Sequence, residues 1–398
     1  MATATKPQSR HSLTGNDAAA EALRQVNPDV VTCYPITPQT ELMHKFAQFH
    51  ADGLVDTEMV LVESEHSAMS AAVGSSAAGA RTATATSSQG LALMIEICYI
   101  ASSYRLPIVM PLVNRALSGP INIHCDHSDA MLARDSGWIQ IWSENAQEAY
   151  DNTIQAFRIA EHADVQTPAT INLDGFILSH TAETLDVLDD GDVKAFVGPY
   201  TPERPLLDTD NPFSIGALFL TDNYFECRRQ QQAAIKGAVP IVEAVGREFG
   251  EMSGRPYGLY EPYQLDDAEL VIVAAGSTTG TAKVAVDRAR ANGIKAGLLK
   301  LRLYRPFPAQ QLIDAIKHAK AVAVMDRAIS YGLTGGPIFH EIRSAAYGQI
   351  DVPFASYVYG LGGRDIFPQE IESIFTDLKA VVDNGADVPP VKYIGVRE

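Results

Sequence analysis

Short runs of apolar and β-branched residues alternate with helical stretches along most of this 398-residue chain, and that alternation constrains its fold more than any other feature. Residues 30–33, 59–62, 82–86, 107–113, 138–142 and 169–173 read as buried strands. Helices are predicted over 14–26, 40–50, 66–79, 91–104 and 145–162. A strand with no polar alternation is buried on both faces, which parallel sheets achieve through crossover helices. The predicted class is therefore α/β, built on a mostly parallel sheet.

The pattern fades between 183 and 230, where Pro199, Pro202, Pro205 and Pro212 fall among Asp and Gly. A stretch this long exceeds an ordinary loop and reads as an ordered excursion or linker. A helix over 233–252 then leads into a second α/β unit. Its strands are expected at 270–275, 296–301, 321–325 and 354–359, with helices over 279–292, 309–319, 338–346 and 368–382. The expected organisation is a first domain over 1–240, with an excursion over 183–232, and a smaller domain over 241–398.

Composition narrows the function class. An apolar fraction of 46% and a charged fraction of 20% describe an ordinary globular protein. The net charge of −17 argues against non-specific nucleic-acid binding and against docking on an anionic membrane. No stretch is long and apolar enough to span a bilayer. Residues 1–12 are polar with scattered Lys6, Arg10 and His11, so they read as a frayed tail of a cytoplasmic protein. The four cysteines, Cys33, Cys98, Cys125 and Cys227, show no C-x-x-C spacing. That argues against a disulfide framework or an iron–sulfur site here, and any redox cluster would sit on a partner.

Three predicted strand ends carry reactive side chains. The first runs into Tyr34-Pro35-Ile36-Thr37-Pro38. Each proline fixes its own φ and biases its predecessor toward extended geometry, so Tyr34 and Thr37 are held extended. The loop lies where open parallel sheets place ligands. The other two ends carry Glu63-Ser64-Glu65 and Asn114-Arg115. A hydroxyl, a carboxylate and a guanidinium on one rim suit an anionic substrate, with Arg115 as a fork for a carboxylate. A glutamate beside them has another task, such as acting on a cofactor. Glu63 and Glu65 share a face of an extended strand end, and the pattern does not separate them. Arg115 alone serves equally as an ion-pair partner of Asp126 or Asp129, and Thr37 as a turn hydroxyl. His124, Cys125, Asp126, His127 and Asp129 crowd together, but their spacing matches no standard zinc pattern, so no metal site is assigned. The Gly276-Ser277-Thr278-Thr279-Gly280 turn lacks the Gly-Lys-Ser/Thr of a phosphate loop and reads as structural, with weak anion binding at most.

In order along the chain, Tyr34-Pro35-Ile36-Thr37-Pro38, Glu63-Ser64-Glu65, Thr86-Ser87-Ser88-Gln89-Gly90-Leu91, Asp126-His127-Ser128-Asp129, Asp174-Gly175-Phe176 and Ser179-His180 resemble the α chain of 2-oxoacid:ferredoxin oxidoreductases, above all those acting on pyruvate. Leu301-Arg302-Leu303-Tyr304-Arg305-Pro306-Phe307 resembles the next domain of that family. The resemblance implies a pyrimidine-type thiamine-diphosphate domain followed by a transketolase C-terminal-like domain. It implies oxidative decarboxylation of pyruvate with CoA to acetyl-CoA, or the reverse. Electrons would pass through 4Fe–4S clusters to ferredoxin. By the same resemblance Glu65 bonds the pyrimidine nitrogen and exchanges a proton with the ring. Thr37 and Arg115 contact the 2-oxoacid, while Tyr34, Pro35 and Gln89 belong to the cofactor surroundings. A β partner would hold the diphosphate and Mg²⁺, and the clusters would lie on γ and ferredoxin-like δ subunits of a hetero-oligomer. The retained Thr37 favours pyruvate or a similar monoanion, and 2-oxoglutarate, 2-oxoisovalerate and oxalate are the alternative substrates. A non-catalytic assembly subunit is the alternative from another class.

Overall fold

Val109–Asn114 and Ala169–Asp174 are buried at every residue, and they run parallel at the centre of a seven-stranded sheet. The computed structural model describes residues 5–388 and 390–397. Across the first sheet the strand order is Leu303–Arg305, Ile139–Trp142, Ala169–Asp174, Val109–Asn114, Thr82–Ala83, Val30–Cys33 and Glu58–Leu61. All pairings are parallel except that of Leu303–Arg305, which comes from the second half of the chain. The second sheet has six strands, in the order Lys392–Ile394, Phe354–Tyr359, Ala321–Asp326, Leu270–Ala275, Ala296–Leu301 and Tyr260–Tyr263. Only Tyr260–Tyr263 is antiparallel there. It is an edge strand and contains Pro262, a residue that cannot complete a central ladder.

Successive side chains of each strand face opposite ways, so each sheet buries two apolar faces. One face of the first sheet packs on the helices Gly15–Val26, Thr40–Ala51 and Ala146–Ala160. The other packs on Glu65–Ala78 and Ser88–Ser103. That second cluster continues into Val271, Val273, Leu299, Leu301 and Ile338 of the second sheet, so the two units share one apolar core. The far face of the second sheet is covered by Thr278–Ala291 and Pro368–Asn384. No helix among the described residues is long and apolar enough to cross a membrane.

Two expectations need correction. The N-terminal segment is not frayed from residue 8 onward: Gln8–Thr14 is a strand paired antiparallel with Ala182–Leu188. It has no apolar run, because most of its side chains face outward and its order comes from backbone pairing. Thr14 then caps the first helix by accepting from Asp17 N at 3.1 Å. The other correction concerns the excursion. It opens with Ala182–Leu188 and the helix Asp190–Val197, and only 198–223 lacks regular structure. The helix that follows is longer than expected, Tyr224–Ser253, and runs without a break through Pro240.

A buried ammonium joins the units. Lys300, 3% exposed, meets Glu144 at 2.5 Å and Glu261 at 2.8 Å, and also Glu148. Burial disfavours its charge, but the three carboxylates outweigh burial and raise its pKa. Removing the ammonium leaves buried Glu148 without a counter-charge, while Glu144 and Glu261 keep Lys283 at 2.8 Å; stripping one partner from a buried pair costs about 3–5 kcal/mol. Lys300→Met is therefore expected to lower unfolding free energy by about that amount in urea titration. A loss below about 1 kcal/mol would show that the cluster does not hold the units together.

Candidate active site

The proline loop is locked from below. Ile36 O accepts from Gln39 N at 2.8 Å and from Thr40 N at 3.1 Å, while Ile36 N donates to Gln39 Oε1 at 3.2 Å. Buried Asn16 donates from Nδ2 to Pro38 O at 2.9 Å. Gly175 lies beneath: a Cβ there would come within 2.4 Å of Asn114 O and 2.9 Å of Pro38 Cγ. Within this frame Pro38 is buried, Tyr34 is half-buried against the shared core, and Pro35 and Thr37 are exposed.

Arg115 crosses from the neighbouring strand end to this loop. Its Nη1 donates to Thr37 O at 2.8 Å, its Nη2 to Gln89 Oε1 at 3.1 Å and its Nε to Asn122 O at 3.2 Å. All three acceptors are neutral. The alternative of an ion pair with Asp126 or Asp129 fails on geometry, because only the backbone N–H of Arg115 reaches Asp129, at 3.0 Å. Burial disfavours the charged guanidinium and lowers its pKa. The side chain thus brings to the rim a positive charge with no ion-pair partner among the described residues, eased only at a distance by the Asp129 carboxylate.

Asp129 is the keystone that sequence reasoning assigned only to a crowd. It is fully buried, and one oxygen accepts from Asn114 Nδ2 and Ala130 N, at 2.9 and 2.8 Å. The other accepts from Ser88 N and Arg115 N, at 2.9 and 3.0 Å. Burial pushes its pKa up to about 7, against the pull of these donors. Only the ionised form satisfies all of them. Ser88, held with φ 44°, starts the helix Ser88–Ser103 and donates from Oγ to Gln89 Oε1 at 2.7 Å.

Glu65 and Glu63 have different surroundings. Glu65 is the first residue of the helix Glu65–Ala78, whose cap Ser64 accepts from Ser67 N at 3.2 Å. It is 8% exposed and lies against Gly90, where a Cβ would stand 3.0 Å from Glu65 Oε1 and 2.3 Å from Thr86 Oγ1. Glu63 is exposed and accepts from Ser67 Oγ at 2.6 Å, and that hydrogen bond lowers its pKa. Burial therefore separates two glutamates that strand periodicity left equivalent. Thr37, Gln89 and Arg115 meet directly, and Glu65 touches the residue after Gln89.

A second buried group lies behind the rim. Cys125, His127 and Asp174 offer ligand atoms within 4.8 Å of one another. The space is taken by Arg327, whose Nη1 donates to Asp174 Oδ2 at 3.1 Å, while His127 Nε2 meets Oδ1 at 2.8 Å. Burial would raise the pKa of Asp174, but His127 and Arg327 outweigh it and hold the carboxyl well below the usual carboxylate range. Ser277 N and Oγ also donate to Asp174, at 3.1 and 2.6 Å. The glycine turn at 276–280 does bind an anion, and that anion is the chain's own carboxylate. A cavity of about 940 Å³ between Tyr104, Tyr200, Phe213 and Arg228 is lined by none of the rim residues.

Comparison with known proteins places the chain in a family. Residues 21–247 match the family described as pyruvate flavodoxin/ferredoxin oxidoreductase, thiamine diphosphate-binding, and residues 268–371 match pyruvate:ferredoxin oxidoreductase core domain II. The pyruvate synthase subunit PorA of Thermotoga maritima is 54% identical over 98% of both chains. The subunit of that name from Methanocaldococcus jannaschii is 45% identical over 97% of this chain and 98% of its own. The ketoisovalerate oxidoreductase subunit VorA of Pyrococcus abyssi is 43% identical over 94% of each. Among solved structures, the 2-oxoglutarate:ferredoxin oxidoreductase of Magnetococcus marinus superposes with a TM-score of 0.74 at 21% identity, over 94% of this chain and 65% of that one. The likeness shows the shared fold. With both α/β units matched in order and a relative 54% identical over nearly the full length, the chain belongs to the pyruvate:ferredoxin oxidoreductase family.

Proposed function

We propose that this chain is the α subunit of a pyruvate synthase, a thiamine-dependent pyruvate:ferredoxin oxidoreductase of several subunits. It takes part in the oxidative decarboxylation of pyruvate with CoA to acetyl-CoA, CO₂ and reduced ferredoxin, or in the reverse. The observation that carries this reading is Arg115: a guanidinium bonded only to neutral acceptors, beside an exposed threonine and a buried glutamate. Such a charge has a 2-oxoacid carboxylate as its natural counter-ion. The exposed Thr37 hydroxyl supplies a directed hydrogen bond to the same substrate.

The site also suits an aminopyrimidine. Buried Thr86 Oγ1 and Ser87 Oγ have no partner among the described residues, and the bare Cα of Gly90 leaves room beside the Glu65 carboxyl. Glu65 would hold a proton at the ring nitrogen, with Gln89, Tyr34 and Pro35 around it. Bound thiamine diphosphate supplies the carbon nucleophile and the electron sink. Residues 1–240 form the pyrimidine-type domain in this reading, and 241–398 the transketolase C-terminal-like domain that packs on partners. A β chain supplies the diphosphate and Mg²⁺ contacts that this rim lacks. The clusters belong on γ and δ chains, because Cys33, Cys98, Cys125 and Cys227 show none of the C-x-x-C spacing that cluster-binding runs use. The complex works in the cytoplasm. A 2-oxoisovalerate-using enzyme is the second reading, favoured only by the 43% identical VorA relative.

The test is methyl-viologen reduction by the chain co-purified with its partner subunits, on a panel of 2-oxoacids with CoA. Glu65→Gln is expected to cut kcat by about 10²–10⁴-fold in an assembled complex, while Glu63→Gln stays within about twofold. Equal effects of the two, or none, would remove the assignment. Arg115→Ala should raise KM for pyruvate at least about tenfold without loss of thiamine binding. Unchanged KM would sink the clamp. Gly90→Ala crowds Thr86 and Glu65, and a fall in kcat of about tenfold is expected with the fold intact; wild-type turnover would show that Glu65 need not stay in place.

A further inference from the structure

One turn of the second α/β unit reaches the loop that follows Arg115. Leu361–Gly363 follows the strand Phe354–Tyr359, and Gly360, Gly362 and Gly363 have φ of 64°, 63° and 81°. Glycine takes such conformations without steric cost. The turn also approaches the first unit more closely than a side chain allows. A Cβ on Gly362 would stand 2.5 Å from Asn122 Nδ2, and one on Gly363 would stand 2.4 Å from His124 Cβ. Gly362 O accepts from Asn122 Nδ2 at 3.1 Å, and Gly363 N donates to Cys125 O at 2.6 Å.

The segment gripped in this way supports Arg115. Asn122 O accepts from Arg115 Nε at 3.2 Å, and Ala116 N donates to His124 O at 3.0 Å. Asn122 Oδ1 accepts from His124 N at 2.7 Å, so its amide is engaged at both ends. The loop itself has little other anchorage at its tip: Ile121 is 76% exposed and Ile123 is 42% exposed. The hydrogen bonds form a relay from Gly362 O through Asn122 to Arg115, and from Arg115 to Thr37 O and Gln89 Oε1. Two of the three acceptors of the guanidinium belong to the rim itself, while the third is held by the second unit.

The geometry points to Gly362 and Asn122 as a positioning pair that sets the guanidinium plane of Arg115 for the 2-oxoacid carboxylate. This rests on the reading of Arg115 as the substrate clamp. The second unit is then part of the substrate site, though none of its side chains need touch the substrate. Its turn preorganises the fork, and binding then costs less ordering of a long side chain. Because the pair acts through Arg115, its effect must vanish when Arg115 is gone.

The experiment uses the assembled complex, with pyruvate-dependent methyl-viologen reduction and separate measurement of thiamine binding. Gly362→Ala and Asn122→Ala are each made alone and in an Arg115→Ala background. Each single variant is expected to raise KM for pyruvate about tenfold with kcat within about twofold and thiamine affinity unchanged. In the Arg115→Ala background each should add less than about twofold. If Gly362→Ala does not assemble, Asn122→Ala carries the test, since it adds no bulk and leaves the backbone carbonyl in place. Equal effects in both backgrounds would overturn the proposal and mark the turn as merely structural. So would an unchanged KM in Asn122→Ala while Arg115→Ala alone raises it. An Arg115→Ala complex with wild-type KM would instead remove the clamp, and the relay with it.

Discussion

The buried carboxylate of Asp174 is the interaction on which the rest of the structure depends. It ends a central strand of the first sheet and is shared by His127 from the rim loop and by Arg327 and Ser277 from the second unit. A buried charge of this kind is tolerated only when fully paired, and removing one partner costs far more than the pair contributes. The same atoms therefore tie together the loop after Arg115, the glycine turn at 276–280 and Arg327 of the second unit. The apolar core shared by the units adds non-directional attraction, and Asp174 supplies the registration.

The rim is ordered one layer further out. Asp129 pins Ser88, Arg115 and the short helix that it begins to enter, so strand end and helix start cannot move independently. Arg115 then spans three segments, and its charge meets no carboxylate on the way. Such an arrangement is costly for folding, and in the proposed function an anion completes it.

Much of this was legible in the residue pattern. The central strands declared themselves because they are buried on both faces, which leaves no polar alternation to blur the signal. Thr37, Glu65 and Arg115 stood out because they sit in the segments that follow predicted strands. The strand before Glu65, Glu58–Leu61, proves to be a half-exposed edge strand and not the buried one expected over 59–62. Gln8–Thr14 was missed because its order comes from backbone pairing with Ala182–Leu188 and leaves its side chains largely outside. Leu303–Arg305 was missed for another reason: it is three residues long and completes a sheet whose other strands lie far away in sequence. Asn122 and Gly362 carried no local signal, being ordinary loop residues until the units meet.

The sequence by itself determined the α/β class, the family and the strand ends that carry chemistry, because apolar periodicity and ordered motifs are local properties of the chain. Tertiary structure alone gave Glu63 and Glu65 different surroundings, one exposed and one buried, since burial depends on what packs over a helix start. It decided that Arg115 grips carbonyls and not Asp126 or Asp129, because hydrogen-bond reach is set by the approach of separate loops. It also turned the glycines at 276 and 360–363 from apparent turn residues into the contacts that join two sheets. Those contacts are non-local, and no spacing along the chain encodes the distance between them.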